Sequence, residues 1–169
     1  MTRFGWVMAT YTSTLAISIS SLFHPVPRVL WNASASAPIG LYAVRPARRL
    51  HVGELLVVRP PEPLASFLAE GGYLPKGVPL VKHLVALPGQ GICRTGNAIT
   101  VDGAPMGQAL ESDRRGRLLP VWEGCRALAQ GEVFLMNSAA DSLDGRYFGP
   151  LPITTIVGRA EPIWLRGEH

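Results

Sequence analysis

The chain has 169 residues, of which 47% are hydrophobic and only 17% are charged, so it is neither disordered nor of low complexity. This length suits one compact domain with room for one additional element. Basic residues outnumber acidic ones by 16 to 12, and this net charge of +4 is too small to indicate a nucleic-acid partner. Two cysteines, Cys93 and Cys125, exclude a cysteine-stapled scaffold and a four-thiolate zinc site.

The first feature along the chain is an uncharged segment, residues 4–23, which follows Arg3. At about 1.5 Å per residue, a helix of this length just crosses a hydrocarbon core of about 30 Å. Its many hydroxyl groups make it only moderately hydrophobic, so a membrane anchor competes with a cleaved secretory signal and a buried helix of a soluble domain. The A-x-A pattern at residues 33–35 fits a cleavage site poorly, because it lies ten residues beyond the apolar segment.

These features predict two regions, a membrane anchor with its linker at residues 1–28 and a domain at residues 29–169. The linker is expected at residues 24–27, where two prolines prevent a regular helix from continuing. Arg3 on the short amino-terminal side favours a cytoplasmic amino terminus and an exported domain.

The second region shows the pattern of a mainly β fold. Short apolar segments separated by Gly and Pro predict strands at residues 54–58, 80–87, 99–101, 132–136 and 153–157. Residues 95–97 (TGN) predict a hairpin turn. A helix is predicted at residues 63–70, because a proline opens it and a glycine pair follows it. Residues 104–130 have no clear period and predict little regular structure.

Two segments suggest chemistry. Residues 32–42 (NASASAPIGLY) hold Ser34 and Ser36 among small residues, and by composition alone they form a turn-rich linker. Lys82, however, lies in a strand pattern and shares an apolar face with Leu84 and Ala86. Desolvation on such a face favours the neutral amine, which can act as a general base for a serine hydroxyl. The alternative is an edge-strand lysine that guards against aggregation.

A third segment, residues 141–149, holds Ser142, Asp144 and Arg146 within five positions. Asp144 and Arg146 are expected to form a fork-type pair that fixes this loop. The alternative is an ordinary turn with a surface ion pair of little energetic weight.

In this order behind an amino-terminal span, the three segments resemble the bacterial type I signal peptidases, and most closely their conjugative branch, the TraF-type peptidases. The motifs are residues 34–38 (SASAP), Lys82 ahead of residues 87–89 (LPG), and residues 142–149 (SLDGRYFG). General signal peptidases usually have Ser-Met-x-Pro at the first motif and Asp-Ser-Arg in the last. The departures leave the serine and lysine in place but weaken any transfer of general secretory specificity.

The resemblance implies a membrane-bound serine endopeptidase with an antiparallel, barrel-like β domain and no metal or organic cofactor. Ser36 would be the nucleophile and Lys82 the general base. The Ser36 backbone N–H and the Ser34 hydroxyl would form the oxyanion hole. Ser142 would orient the lysine, while Asp144 and Arg146 would support the site.

The implied substrate is an exported precursor, foremost the pilin subunit of a conjugative system, which would be hydrolysed or cyclised. The expected location is the inner membrane, single-pass, with the domain in the periplasm and the lipid bilayer as a partner. No nucleic-acid partner is expected, and the oligomeric state stays open.

Two alternatives remain for function. One is a general type I signal peptidase, and the other is a non-catalytic, membrane-anchored pilus-assembly protein with residues 114–117 (RRGR) as a docking patch. For the cysteines, export makes a Cys93–Cys125 disulfide as plausible as two unpaired buried thiols.

Overall fold

The computed structural model describes residues 2–22 and 28–167. The predicted linker at residues 24–27 and the last residue of the predicted span, Phe23, lie outside the described residues. Within the described ranges the helices are α1 (Arg3–Leu22), α2 (Leu64–Glu70) and α3 (Gly145–Phe148), with a 3-10 turn at Ile153–Thr155. The strands are β1 (Val29–Asn32), β2 (Gly40–Arg45), β3 (Leu55–Val58), β4 (Leu80–Ala86), β5 (Gly91–Thr95), β6 (Ala98–Val101), β7 (Ala104–Gln108), β8 (Gly124–Ala127), β9 (Glu132–Met136), β10 (Leu151–Pro152) and β11 (Ile156–Leu165).

Helix α1 covers most of the uncharged amino-terminal segment. Its threonine hydroxyls form hydrogen bonds within the helix. Those of Thr10, Thr12 and Thr14 each donate to the carbonyl four residues earlier at 2.9 Å. In the part of the chain that the structure describes, we find no helix both long enough and apolar enough to cross a membrane. The helix is therefore present, and the membrane anchor stays a prediction.

The remaining chain is mainly antiparallel β, as predicted. One sheet has seven strands in the order β1-β2-β11-β3-β4-β9-β10, and a second has four in the order β7-β6-β5-β8. All pairings in both sheets are antiparallel. Hydrogen bonding in the large sheet ends at β1 and at β10, so this sheet is open and not a closed barrel.

Strand β4 lies inside the large sheet. It pairs with β3 on one side, where Lys82 faces Leu56, and with β9 on the other, where His83 faces Met136. The edge-strand explanation for Lys82 is therefore wrong. A core that includes Leu56, Leu84 and Leu135 packs against this part of the sheet, together with α2.

Most predicted elements are confirmed within one or two residues, including α2, the hairpin β5–β6 and strands β3, β4, β6 and β9. The strand predicted at residues 153–157 is wrong for its first three residues, which form the 3-10 turn. β11 begins at Ile156 and runs to Leu165, with irregular register near Gly158 and Pro162. A Cβ at Gly158 would meet the Arg45 carbonyl oxygen at 2.5 Å, so β11 can pass this close to β2 only with glycine there.

Residues 104–130 are more regular than predicted, because they contain β7 and β8. Every residue of these two strands is exposed. Alternation of apolar and polar residues arises only where one face of a strand is buried, so the sequence of these strands carried no period to detect.

Cys93 and Cys125 form a disulfide between β5 and β8, where they face each other in the register. The alternative of two unpaired buried thiols is wrong, since Cys125 is also exposed. The bond links β8, an exposed strand at the edge of the small sheet, to its neighbour β5.

Reduction of this disulfide should lower the free energy of unfolding. The bond closes a loop with a sequence separation of 32 residues, and the entropy of such a loop corresponds to about 3 to 4 kcal/mol. Urea unfolding with and without reductant measures the difference. The Cys93→Ser/Cys125→Ser double variant is the control and should be insensitive to reductant. Equal stability of the native chain in both conditions would contradict the prediction.

Candidate active site

The loop between β1 and β2 is organised around Asn32, the last residue of β1. The Asn32 amide nitrogen donates to the carbonyl oxygens of Ser34, Ala37 and Pro38 at 3.0 to 3.1 Å. Its oxygen accepts from the Ser34 backbone N–H at 3.2 Å. Asn32 is 7% exposed, so these bonds are shielded from water. The serine segment is therefore a closed loop held by a buried side chain, and the turn-rich linker interpretation is wrong.

Within this loop Ser34 and Ser36 face each other. Their Oγ atoms lie 2.9 Å apart, and the Ser36 backbone N–H donates to the Ser34 Oγ at 3.4 Å. A second donor reaches Ser36 from outside the loop, because the Asn137 amide nitrogen lies 3.3 Å from the Ser36 Oγ. The Ser36 hydroxyl thus has polar neighbours on two sides and remains half-buried.

Lys82 is buried in β4, with 4% of its surface exposed. Its Nζ donates to the Ser142 Oγ at 2.6 Å. Burial lowers the pKa of Lys82 from 10.5 to about 8, while Asp144 raises it and Arg146 lowers it further. With a pKa near 8, roughly one lysine in ten is neutral at pH 7, against about one in 2500 for a free side chain.

Asp144 and Arg146 are buried below the lysine, with 0% and 2% of their surfaces exposed. The explanation by a surface ion pair is therefore wrong. Arg146 Nε lies 3.3 Å from Asp144 Oδ1, and Asp144 also accepts from the backbone N–H groups of Arg146 and Asn137. Burial raises the pKa of Asp144, and the charges of Arg146 and Lys82 oppose this shift.

The expected fork-type pairing of Asp144 with Arg146 is not what the structure has. The two terminal nitrogens of the guanidinium donate instead to backbone carbonyls, those of Ala139, Ala140 and Asn137. Only Nε faces the carboxylate. Arg146 therefore binds the main-chain carbonyls of the loop that follows β9. The Asp144 oxygens remain available to accept from backbone N–H groups.

Ser36, Lys82 and Ser142 line one cleft of about 600 Å³. Ser34 lies on the same wall, and much of the remaining lining is apolar, contributed by Leu30, Leu68, Leu74, Val78, Leu80, Val81 and Leu143. Ser36 and Lys82 both belong to the described residues, and there is no direct hydrogen bond between the Ser36 Oγ and the Lys82 Nζ. The lysine is engaged by Ser142 and the serine by Ser34 and Asn137.

Two of the three arginines in residues 114–117 form ion pairs within the chain. Arg117 pairs with Asp113, donates to the Gly71 carbonyl and stacks over the Tyr73 ring. Arg114 pairs with Asp141. Arg114 also lines the cleft, and these ion pairs reduce the charge that the segment offers as a docking patch.

Sequence reasoning missed the structural roles of Asn32 and Asn137. Each is a buried asparagine at the end of a strand, Asn32 closing β1 and Asn137 following β9. Their position was a usable signal, because an amide placed directly after a strand is well placed to bind the backbone of the next loop.

Comparisons with known proteins identify the family of this chain. Residues 1–165 match the family described as signal peptidase, peptidase S26. The chain therefore belongs to the S26 signal peptidase family, which supports a serine peptidase.

Two proteins that are similar to this chain are named as conjugal transfer proteins. The conjugal transfer protein TraF of Agrobacterium fabrum is 36% identical over 145 residues, covering 79% of this chain and 80% of the relative. The probable conjugal transfer protein TraF of Sinorhizobium fredii is 32% identical over 165 residues, covering 92% of this chain and 86% of the relative. A crystal structure of a signal peptidase I from Enterococcus faecalis V583 is 14% identical, with a TM-score of 0.40 over 66% of this chain and 97% of that chain.

Replacing Lys82 with methionine should stabilise the protein at neutral pH. Because the folded pKa is near 8 and the unfolded value 10.5, the buried ammonium costs about 3 kcal/mol below pH 8, and this cost disappears as the pH rises to 10.5. Loss of the bond to Ser142 offsets about 1 kcal/mol of the gain. Urea unfolding should therefore show Lys82→Met more stable by about 2 kcal/mol at pH 7, but not at pH 10.5.

Lys76→Met is the matched control, because the exposed Lys76 has only a loose contact with Glu62 at 3.6 Å. It should leave stability nearly unchanged at both pH values. A Lys82→Met variant that is less stable than the native chain at pH 7 would show that the amine is not penalised by burial.

Proposed function

We propose that the protein is a membrane-bound serine endopeptidase of conjugative transfer, which uses Ser36 and Lys82 to process an exported precursor, the pilin subunit. The observation that carries this proposal is a buried lysine, with its pKa lowered to about 8, lining the same cleft as Ser36. A lysine with such a pKa is a competent base near neutral pH, whereas an exposed one is not.

In the proposed acylation step, the Ser36 hydroxyl transfers its proton to the neutral Lys82 amine as Oγ forms a bond to the scissile carbonyl carbon. The carbonyl π electrons move to its oxygen. The Ser36 N–H then donates to that oxyanion and no longer to the Ser34 Oγ. The Ser34 hydroxyl also donates to the oxyanion. The geometry of the serine loop supports this exchange, since the Ser36 N–H and the Ser34 hydroxyl already lie next to each other there.

Collapse of the tetrahedral intermediate breaks the peptide C–N bond, and the leaving amine takes the proton from Lys82. The resulting ester on Ser36 is then attacked by a nucleophile that Lys82 deprotonates. When this second intermediate collapses, the bond between the acyl carbon and the Ser36 Oγ breaks, and Oγ takes the proton back from Lys82. Ser142 keeps Nζ in place through the 2.6 Å bond. Asp144 and Arg146 fix the loop that carries Ser142, because Arg146 binds the backbone on its amino-terminal side.

The nucleophile in this second step decides the product. Water yields a linear chain, whereas the amino group of the pilin itself yields a cyclic one. The names of the relatives, conjugal transfer proteins, support a conjugative substrate and leave both outcomes within the proposal. The apolar lining of the cleft suits an extended precursor segment with small apolar side chains.

The dyad can be tested by following the candidate pilin precursor in cells that carry Ser36→Ala, Lys82→Arg or Lys76→Ala. The first two should abolish processing, because one lacks the nucleophile and arginine cannot lose its proton. Lys76→Ala should process normally. Retained cleavage in Lys82→Arg would refute the mechanism.

The same experiment separates the outcomes for substrate and product. A cyclic product is lighter than the linear one by one water in intact mass. If many exported precursors accumulate in Ser36→Ala cells, and not one, the protein is a general signal peptidase. If processing is unaffected by either dyad substitution, the non-catalytic assembly role is favoured.

We further propose that α1 anchors the chain in the inner membrane with the β domain in the periplasm. Large apolar side chains are exposed around this helix, among them Phe4, Trp6, Leu15 and Ile17, and charged residues are absent after Arg3. Exposed apolar surface of this extent favours a lipid environment.

Leu15→Arg/Ile17→Arg should release the protein from the membrane pellet after a carbonate wash, because an arginine at a helix centre costs about 2.5 to 3.5 kcal/mol in a bilayer. Thr2→Arg, placed before the helix, is the matched control and should stay in the pellet. Recovery of the native chain in the supernatant would contradict the anchor while leaving the peptidase proposal intact.

A further inference from the structure

Asn137 occupies a position that the mechanism above does not use. It follows β9, is 4% exposed, and lies between the strand that carries Lys82 and the loop that carries Ser36. Its amide contacts both of these segments. A buried amide in this position influences the group that it contacts, which is the Ser36 hydroxyl.

The orientation of the amide is fixed by the main chain of β4. The nitrogen donates to the Val81 carbonyl at 3.0 Å, and the oxygen accepts from the His83 backbone N–H at 3.1 Å. Exchanging oxygen and nitrogen would set two acceptors against each other and two donors against each other. The second hydrogen on the nitrogen is therefore the one directed at the Ser36 Oγ, at 3.3 Å.

His83 closes the arrangement. Its Nδ1 lies 3.1 Å from the Asn137 oxygen, and because that oxygen only accepts, Nδ1 carries the proton. Both donors and both lone-pair directions of the amide are then used. Such a side chain cannot rotate without breaking several shielded bonds, so it presents its N–H to Ser36 in one direction.

From this geometry we propose that Asn137 is a catalytic residue, which donates a hydrogen bond to the nucleophile oxygen and sets the direction of the Ser36 hydroxyl. The inference rests on the proposed function. With one side of Oγ occupied by a donor, the hydroxyl proton points away from Asn137, toward the Ser34 Oγ or the cleft where Lys82 lies. During attack the proton passes to Lys82 and the Oγ electron pair forms the new C–O bond. Asn137 keeps both its protons throughout.

The role predicts a defect in turnover without a defect in binding. Asn137→Ala should lower kcat about 10- to 100-fold while KM stays close to the native value. The assay uses the full-length chain in detergent and the purified precursor that accumulates in Ser36→Ala cells. The pH midpoint of kcat/KM should not move, because Lys82 keeps its surroundings.

Two variants separate this role from simple support of the fold. His83→Ala removes a bond to the Asn137 oxygen but keeps the donor to Ser36, so kcat should fall much less than in Asn137→Ala. Asn137→Asp preserves the size of the side chain and removes the donor, so kcat should also fall. Its added negative charge should shift the pH midpoint upward.

The two lysines of the chain provide a readout that needs no activity. In protein labelled with ¹⁵N-lysine only Lys76 and Lys82 give side-chain signals, and Lys76→Ala assigns them. The Lys82 titration should be the same in the native chain and in Asn137→Ala. Matched unfolding curves and an unchanged titration would show that Asn137→Ala folds with its base intact.

Each outcome decides something. Native kcat in Asn137→Ala, with Ser36→Ala inactive, would overturn this inference and leave the proposed function standing. A fall in kcat accompanied by a displaced Lys82 titration in Asn137→Ala would overturn it as well, because the residue would then act through the fold. Full activity in Ser36→Ala would overturn both proposals.

Discussion

The burial of one ammonium group is the constraint on which the rest of the site depends. Lys82 lies in an interior strand with 4% of its surface exposed, so water solvates its charge poorly and its proton is held weakly. The nearby ion pair acts on the lysine in opposite directions, since Asp144 raises its pKa and Arg146 lowers it. Because these two effects oppose each other, desolvation decides the result. The chain thereby gains a base near neutral pH at the expense of stability.

The composition gives this constraint a context. Fourteen of the sixteen basic residues are arginine, and an arginine cannot lose its proton in a protein. Arg94 and Arg146 are buried as deeply as Lys82, yet both remain donors that hold backbone carbonyls. A buried arginine therefore serves as a structural clamp, and the buried lysine is the basic side chain among these three whose charge can be removed.

Prediction from sequence succeeded where burial imposes a pattern. Strands β4 and β9 contain alternating or consecutive apolar residues because they lie inside the large sheet, and the sequence predicted both strands. β7 and β8 are exposed on every residue, and the pattern of β11 is interrupted by Gly158 and Pro162. The proposed site residues followed from a resemblance carried by short motifs. The role of Asn137 was missed because folding brings its partners close, as with the Ser36 Oγ, which lies 101 residues away in the sequence. Asn32 binds the loop that directly follows it, so its position was the usable signal.

The same folding contacts explain how a cleft that is open to water can still position the proposed nucleophile, Ser36. Ser36 is only half-buried and lacks a direct bond to Lys82. The buried Asn32 fixes its loop, while Ser34 and Asn137 contact its Oγ. Lys82 is held separately by Ser142. The two groups of the proposed dyad are thus each positioned by the fold and not by one another. In the proposed reaction, a substrate that fills the apolar cleft would exclude water between them, and exclusion of water strengthens the polar contacts made to Ser36 and Lys82.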